Sequence, residues 1–158
     1  MSVRVGLGFD VHPFTDDPVR LLVLGGVVFP GEAALSGHSD ADVVAHAAAD
    51  AILGAAGLGD IGTHFPDTDP ALAGADSIEL LRRAGELVRV EGWSVTNVDC
   101  SVVAERPRLA DHREAMQARL SSAVGAPVSV KGRRAEGLGA LGRGEGIACY
   151  AVALLEQP

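Results

Sequence analysis

The sequence is poor in aromatic residues, with one Trp, one Tyr and four Phe among 158 residues. At 47% hydrophobic and 22% charged residues it is nonetheless globular in composition rather than disordered. Cysteine is almost absent. Cys100 and Cys149 each sit in an apolar run without a second cysteine nearby, so no disulfide framework exists. Both read as buried free thiols, with a single bridge between them as the lesser reading. Excess positive charge is also missing: 13 Lys and Arg against 21 Asp and Glu leave a formal charge of −8. Such a chain lacks the electrostatic footprint of a nucleic-acid-binding protein. No stretch reaches the roughly 18 consecutive apolar residues of a membrane-spanning helix. The first residues, Met1-Ser2-Val3-Arg4-Val5, have none of the regions of a secretory signal. These absences together predict a cytoplasmic protein that contacts neither nucleic acid nor membrane.

Glycine, by contrast, is abundant: 20 residues, nearly twice the usual share of about 7%. Each glycine marks a tight turn or a place where backbone approaches something closely. The length fits one domain spanning residues 1–158, with no linker and no internal repeat. Val3 to Leu7 reads as a strand followed by a polar loop from Asp10 to Asp17. Arg20 to Phe29, broken by Gly25-Gly26, reads as two short strands or a bulged hairpin. An alanine-rich helix is expected from Ala41 to about Ala56, capped by Ser39 or Asp40 and stopped near Gly57. Gly59 to Gly74 reads as irregular loop. Further helices are expected over Ser77–Glu91 and Arg108–Val124, and strands over Trp93–Ala104, Val128–Lys131 and Ile147–Leu155. The pattern defines an α/β (α+β) domain with helices covering one face of a sheet.

Four constellations carry chemistry. Asp10 and His12 are two apart, so on extended chain they point the same way and suit a shared metal ion. Asp42, His46 and Asp50 form one stripe of a helix whose other residues are small and apolar. A buried His–Asp stripe needs a reason, and Asp42, Asp50 or some other group is a candidate to hold the second ring nitrogen of a ligating His46. Asp10, His12 and His46 together make three protein ligands, which leaves zinc a fourth position for water or substrate. The Asp-dense loop Gly59-Asp60-Ile61-Gly62 through Phe65-Pro66-Asp67-Thr68-Asp69 is long enough to be functional, with His64 at its surface. Arg106, Arg108, Lys131, Arg133 and Arg134 concentrate positive charge suited to phosphate oxygens. Glu136, beside them, is placed to hold a hard divalent ion. Gly137 to Gly142 matches the dinucleotide-binding glycine pattern but lacks the required helix and acidic residue after it, so it is rejected.

The motifs Gly6-x-Gly8-x-Asp10-x-His12-x-Phe14, His38-Ser39-Asp40-x-Asp42-x-x-x-His46, Gly59-Asp60-x-Gly62-x-x-Phe65-Pro66-Asp67-Thr68-Asp69 and Gly142-Arg143-Gly144-Glu145-Gly146 occur in this order. Over essentially its whole length the sequence resembles the 2-C-methyl-D-erythritol 2,4-cyclodiphosphate synthase family of the non-mevalonate isoprenoid pathway. The resemblance implies a homotrimer whose sheets face the three-fold axis, with active sites between subunits. It implies a phosphorus–oxygen lyase. In 4-diphosphocytidyl-2-C-methyl-D-erythritol 2-phosphate, the 2-phosphate attacks the β-phosphorus and cytidine monophosphate leaves. By motif position, Asp10, His12 and His46 would bind zinc. His38 and Ser39 would contact phosphates, with His38 assisting the transition state. Asp60, Gly62 and the segment Phe65, Asp67 and Asp69 would face the methylerythritol part. Ala104 to Ala110, including Arg106, Arg108 and Leu109, would receive cytidine from the neighbouring subunit. Glu136 would hold magnesium or manganese. Phe9, Arg143 and Glu145 match positions near a cavity on the three-fold axis that holds an isoprenoid diphosphate in family trimers.

The sequence departs from the family after Lys131. Where two threonines are usual, Arg133 and Arg134 stand, and Ala140 replaces a common Phe. The expectation is that both arginines bind substrate phosphates and that Arg134 takes over the catalytic contact. Two other readings stay open: a zinc-dependent phosphohydrolase, and a catalytically impaired trimer that binds cytidine nucleotides.

Overall fold

A computed structural model describes all 158 residues. Its centre is a mixed four-stranded sheet made from β1 (Ser2–Pro13), β4 (Ser94–Val103), β5 (Val128–Arg133) and β6 (Gly146–Gln157), in the order β1-β6-β4-β5. β6 runs antiparallel to both β1 and β4, and β4 pairs parallel with β5. Between them come α1 (Val43–Ala56), α2 (Ile61–His64), α3 (Ser77–Val90), α4 (Arg113–Val124) and α5 (Gly139–Gly142). A separate hairpin, β2 (Leu22–Leu24) and β3 (Val27–Phe29), turns through Gly25 and Gly26, both at positive φ. Two consecutive residues in that region make the tight hairpin turn whose twist suits antiparallel strands.

The first strand is longer than its apolar pattern predicts. Its ladder with β6 continues from Ser2↔Gln157 to Pro13↔Gly146, so Asp10 and His12 belong to the strand and not to a loop. Alternation then sorts its side chains. Gly6, Gly8, Asp10 and His12 face inward, whereas Val3, Val5, Leu7, Phe9 and Val11 face outward and are exposed. With Tyr150 and Val152 of β6 these outward residues form an apolar face that no helix covers. The inward face carries α1, an alanine-rich helix buried at every position except Asp50 and Gly54. No helix of the chain is long and apolar enough to cross a membrane.

Other boundaries also differ from expectation, each for a local reason. Asp42, not Ser39 or Asp40, caps α1, accepting from the Val44 and Ala45 N–H groups. The segment from Gly59 to Gly74 holds regular turns because its aspartates cap them. Asp60 accepts from Thr63 N at the start of α2, and Asp69 from Ala71 N at a 3₁₀ turn over Pro70–Leu72. α4 begins at Arg113 rather than Arg108, because Leu109 is buried against Gly132 and holds residues 104–112 as a loop. Cys100 and Cys149 are buried free thiols, as expected.

Candidate functional site

The site is built where β1 meets α1. Gly8 has no side chain between the strand and the helix, so the backbones touch and His46, on α1, reaches the end of β1. Asp10 Oδ2 lies 3.0 Å from His12 Nε2 and 3.0 Å from His46 Nδ1. One ligand atom from each of the three residues falls within 4.8 Å of the others. His12 Nε2 is buried and has no hydrogen-bond partner, because its contact with Asp10 lacks hydrogen-bond geometry. A buried, unpartnered nitrogen costs free energy; beside a carboxylate and a second imidazole nitrogen it fits a ligand for a common cation. Burial opposes ionisation of Asp10, but the close imidazoles of His12 and His46, the latter hydrogen-bonded to it, outweigh burial and hold the carboxyl well below its usual range. Burial works against a charged His46, yet Asp10, helped by Asp42 and Asp40, raises its pKa above the ordinary 6.5.

The stripe Asp42–His46–Asp50 divides its roles differently from the sequence expectation. Neither aspartate hydrogen-bonds the His46 ring. Asp42 is fully buried and accepts from Gly25 N at 2.8 Å and Gly26 N at 2.7 Å, which fastens the hairpin to the start of α1. Burial and the nearby Asp40 push its pKa up to about 6 against the pull of those N–H groups. Asp50 accepts from Ile61 N and so anchors α2. The partners of His46 Nε2 are instead Ser77 Oγ at 2.8 Å and Ser39 Oγ at 3.2 Å. Ser77 lies 31 positions along the chain, and nothing in sequence spacing ties it to His46.

A cavity of about 410 Å³ opens over this cluster. It brings together Asp10, His12, His38, Ser39, His46, Gly62, Phe65 and Asp67, along with Leu72 and Leu80, which the sequence does not single out. His38 Nε2 donates to the Asp69 carbonyl at 2.8 Å, so the two loops that frame the opening are joined. Arg20, also missed, staples the same region by donating to the carbonyls of Leu35 and Ser39. Asp60 is exposed as the cap of α2 and does not line this cavity, and Asp69 contributes its carbonyl and its capping carboxylate. His64 is half-buried rather than a surface residue, because its Nε2 donates to Leu58 O.

A second cavity, about 230 Å³, gathers Ala104, Arg108, Leu109, Ala110, Arg133 and Arg134, with Glu105 and Arg113. Glu105 accepts from Ala135 N, which ties the two loops that line it. The two cavities share no lining residue within one chain. Arg106, Glu136 and Arg143 line neither; Arg143 pairs with Glu145 at 2.8 Å. Ala41 and Glu136 are the two non-glycine residues in the left-handed region, at φ 60° and 54°, and both lie within segments that the sequence singles out. Such strained backbone concentrates at functional sites.

Fold and cluster define a single-domain α/β protein with an Asp–His–His site able to hold a metal ion between a strand end and a buried helix. The chain belongs to the YgbB family, whose pattern matches residues 3–156. It is 58% identical over 98% of its length, and 95% of the relative's, to 2-C-methyl-D-erythritol 2,4-cyclodiphosphate synthase of Rubrobacter xylanophilus. Among solved structures, it superposes on the bifunctional IspDF of Campylobacter jejuni with a TM-score of 0.93 and 42% identity, covering 99% of this chain and 43% of that one. It superposes on the Plasmodium falciparum IspF–CDP complex with a TM-score of 0.84 and 34% identity, covering 99% of this chain and 97% of the other.

Proposed function

We propose that this protein converts 4-diphosphocytidyl-2-C-methyl-D-erythritol 2-phosphate to 2-C-methyl-D-erythritol 2,4-cyclodiphosphate. An oxygen of the 2-phosphate bonds to the β-phosphorus, the bond from that phosphorus to the α-phosphate oxygen breaks, and cytidine monophosphate leaves with the electron pair. No water is consumed. The observation that carries this reading is the convergence of Asp10, His12 and His46 in a chain 58% identical to a named synthase.

The reaction requires two anionic groups to meet, so catalysis is mainly positioning and charge neutralisation. Asp10, His12 and His46 would hold zinc, and Glu136 a magnesium or manganese ion. When bound, such cations offset phosphate charge and polarise the phosphorus under attack. His38 and Ser39 line the same cavity and would contact phosphate oxygens, Ser39 through its hydroxyl and His38 through Nδ1, since its Nε2 donates to the Asp69 carbonyl. Phe65, Gly62 and Asp67 line the same cavity and would face the methylerythritol part, with Asp60 and Asp69 capping the neighbouring turns. Arg133 and Arg134 stand in the second cavity with Arg108 and Arg113, where their guanidinium groups bind the diphosphate.

The active assembly is a homotrimer with shared sites. Two features support it. The sheet leaves a continuous apolar face uncovered, with Val5 67% and Leu7 68% exposed, and such patches mark interfaces. The arginine-lined cavity is separate from the metal cavity in one chain, so a neighbouring copy can bring Ala104–Ala110 to it. The test is incubation with the substrate, zinc and magnesium followed by phosphorus NMR. Cyclic diphosphate with equimolar cytidine monophosphate is expected. Release of inorganic phosphate identifies a phosphohydrolase instead, and binding without turnover an impaired nucleotide-binding trimer.

A further inference from the structure

We infer that Ser77 and Asp40 are positioning residues that lock the His46 ring, and the proton on its outward nitrogen, for metal binding at Nδ1. This rests on the metal-site reading of Asp10, His12 and His46. The argument is one of donors and acceptors. Ser77 is the first residue of α3, only 1% exposed, and its Oγ touches both His46 Nε2 and the Asp40 carboxylate. An ionised carboxylate only accepts, so the one hydroxyl proton of Ser77 goes to Asp40 Oδ1. Ser77 Oγ then has only lone pairs to turn towards His46, at 2.8 Å. Nε2 must therefore carry a hydrogen, and a neutral imidazole so protonated presents the lone pair of Nδ1 towards Asp10 and His12.

Asp40 is itself held. Its carboxylate accepts from Ser77 N at 3.1 Å and from Asp42 N at 3.2 Å, besides the Ser77 hydroxyl. The chain Asp40–Ser77–His46 thus joins the loop before α1, the first turn of α3 and the interior of α1. Ligating histidines commonly give their second N–H to a carboxylate or carbonyl; here a serine hydroxyl stands between ring and carboxylate. An amide at position 40 cannot replace the carboxylate, because its NH₂ would face one of three groups that already donate.

The test is zinc affinity of the full-length protein, measured by competition with a chromophoric chelator, together with the visible absorption of the cobalt-substituted protein. Ser77→Ala is expected to lose about ten- to a hundred-fold in affinity, to change the cobalt spectrum, and to keep its unfolding temperature within a few degrees. Ser77→Thr, which restores a hydroxyl, recovers most of the loss. Asp40→Asn supplies a second reading and loses affinity in the same direction. Folded Ser77→Ala or Asp40→Asn protein with wild-type zinc affinity and an unchanged cobalt spectrum overturns the inference. So does a loss in Ser77→Ala that Ser77→Thr does not recover. If wild-type protein takes up no zinc, the metal-site reading fails and this inference with it. Wild-type zinc uptake with unaffected variants sinks this inference alone.

Discussion

Gly8 lies directly beneath Ala47: a β-carbon added to Gly8 would stand 1.9 Å from the Ala47 carbonyl oxygen. Gly6 stands in the same relation to Ala51, at 2.0 Å. Two glycines one inward step apart therefore set the distance between β1 and α1, and that distance brings His46 to Asp10.

Gly8→Ala should then destabilise the protein by about 3 kcal/mol or more, since overpacking against backbone has no flexible partner to yield. Gly54, exposed within α1 with nothing nearer than 4.0 Å to an added β-carbon, supplies the contrast. Gly54→Ala should stabilise by roughly 0.5–1 kcal/mol through helix propensity and reduced unfolded-state entropy. Thermal and denaturant unfolding of both variants checks the pair. Equal effects of the two substitutions would show that close approach at Gly8 does not matter.

His12→Ala removes the buried nitrogen that has no partner in the chain itself. It should lower bound zinc on dialysed protein well below one per chain and reduce kcat by about a hundred-fold or more. Unfolding temperature should change little, because the replaced ring makes no hydrogen bond that the fold depends on. Elemental analysis beside a steady-state assay decides it.

Zinc affinity should fall with pH. In metal-free protein Asp10 raises the His46 pKa above 6.5, so a cation binding at Nδ1 displaces a proton over much of the range near neutrality. Protons compete more strongly as pH decreases, so affinity drops by up to about tenfold per pH unit for each proton displaced. The same raised pKa makes protonated His46 a stabilising group below its unfolded pKa, a contribution lost as pH rises through the folded value. Chelator competition at pH 8 and pH 6 should give the weaker binding at pH 6. Equal affinities would contradict proton displacement.

Much of this site is legible in the sequence because short-range periodicity carries it. Asp10 and His12, two apart, point the same way on extended chain, and His46 sits in a small, apolar, alanine-rich run that suggests a buried helix. What the sequence hides is contact between distant segments. Asp42 looks like a partner for His46 four residues on, but as the helix cap it is committed to N–H groups, including those of Gly25 and Gly26. Ser77 reads as an ordinary helix start, yet the packing of α3 on α1 delivers it to the ring. Likewise the strand ladder, rather than hydrophobic alternation, carries β1 on through Pro13.

Arg134→Ala tests the family departure. A charge-assisted hydrogen bond to phosphate is worth about 1.5–3 kcal/mol, so kcat/KM should fall about ten- to a hundred-fold. Arg134→Thr, the residue usual in the family, should retain more activity than the alanine variant, since a hydroxyl also donates to phosphate. Zinc content should not change in either, because Arg134 lines the second cavity and not the metal cavity. Full activity of Arg134→Ala would remove the arginine from the reaction.

The apolar sheet face gives the last prediction. Val3, Val5, Leu7, Phe9 and Val11 are all more than 40% exposed in the single chain, and burying such a face against copies of itself is the strongest available drive to assembly. Wild-type protein should sediment as a trimer. Leu7→Asp places a charge at the centre of that face, where desolvation without a partner costs several kcal/mol. It should sediment as monomer while retaining its zinc, since Leu7 points away from the inward row of Gly6, Gly8, Asp10 and His12. Activity should vanish with assembly, because the arginine-lined cavity and the metal cavity then have no neighbour to complete them. A fully active monomer would show that one chain holds a whole site.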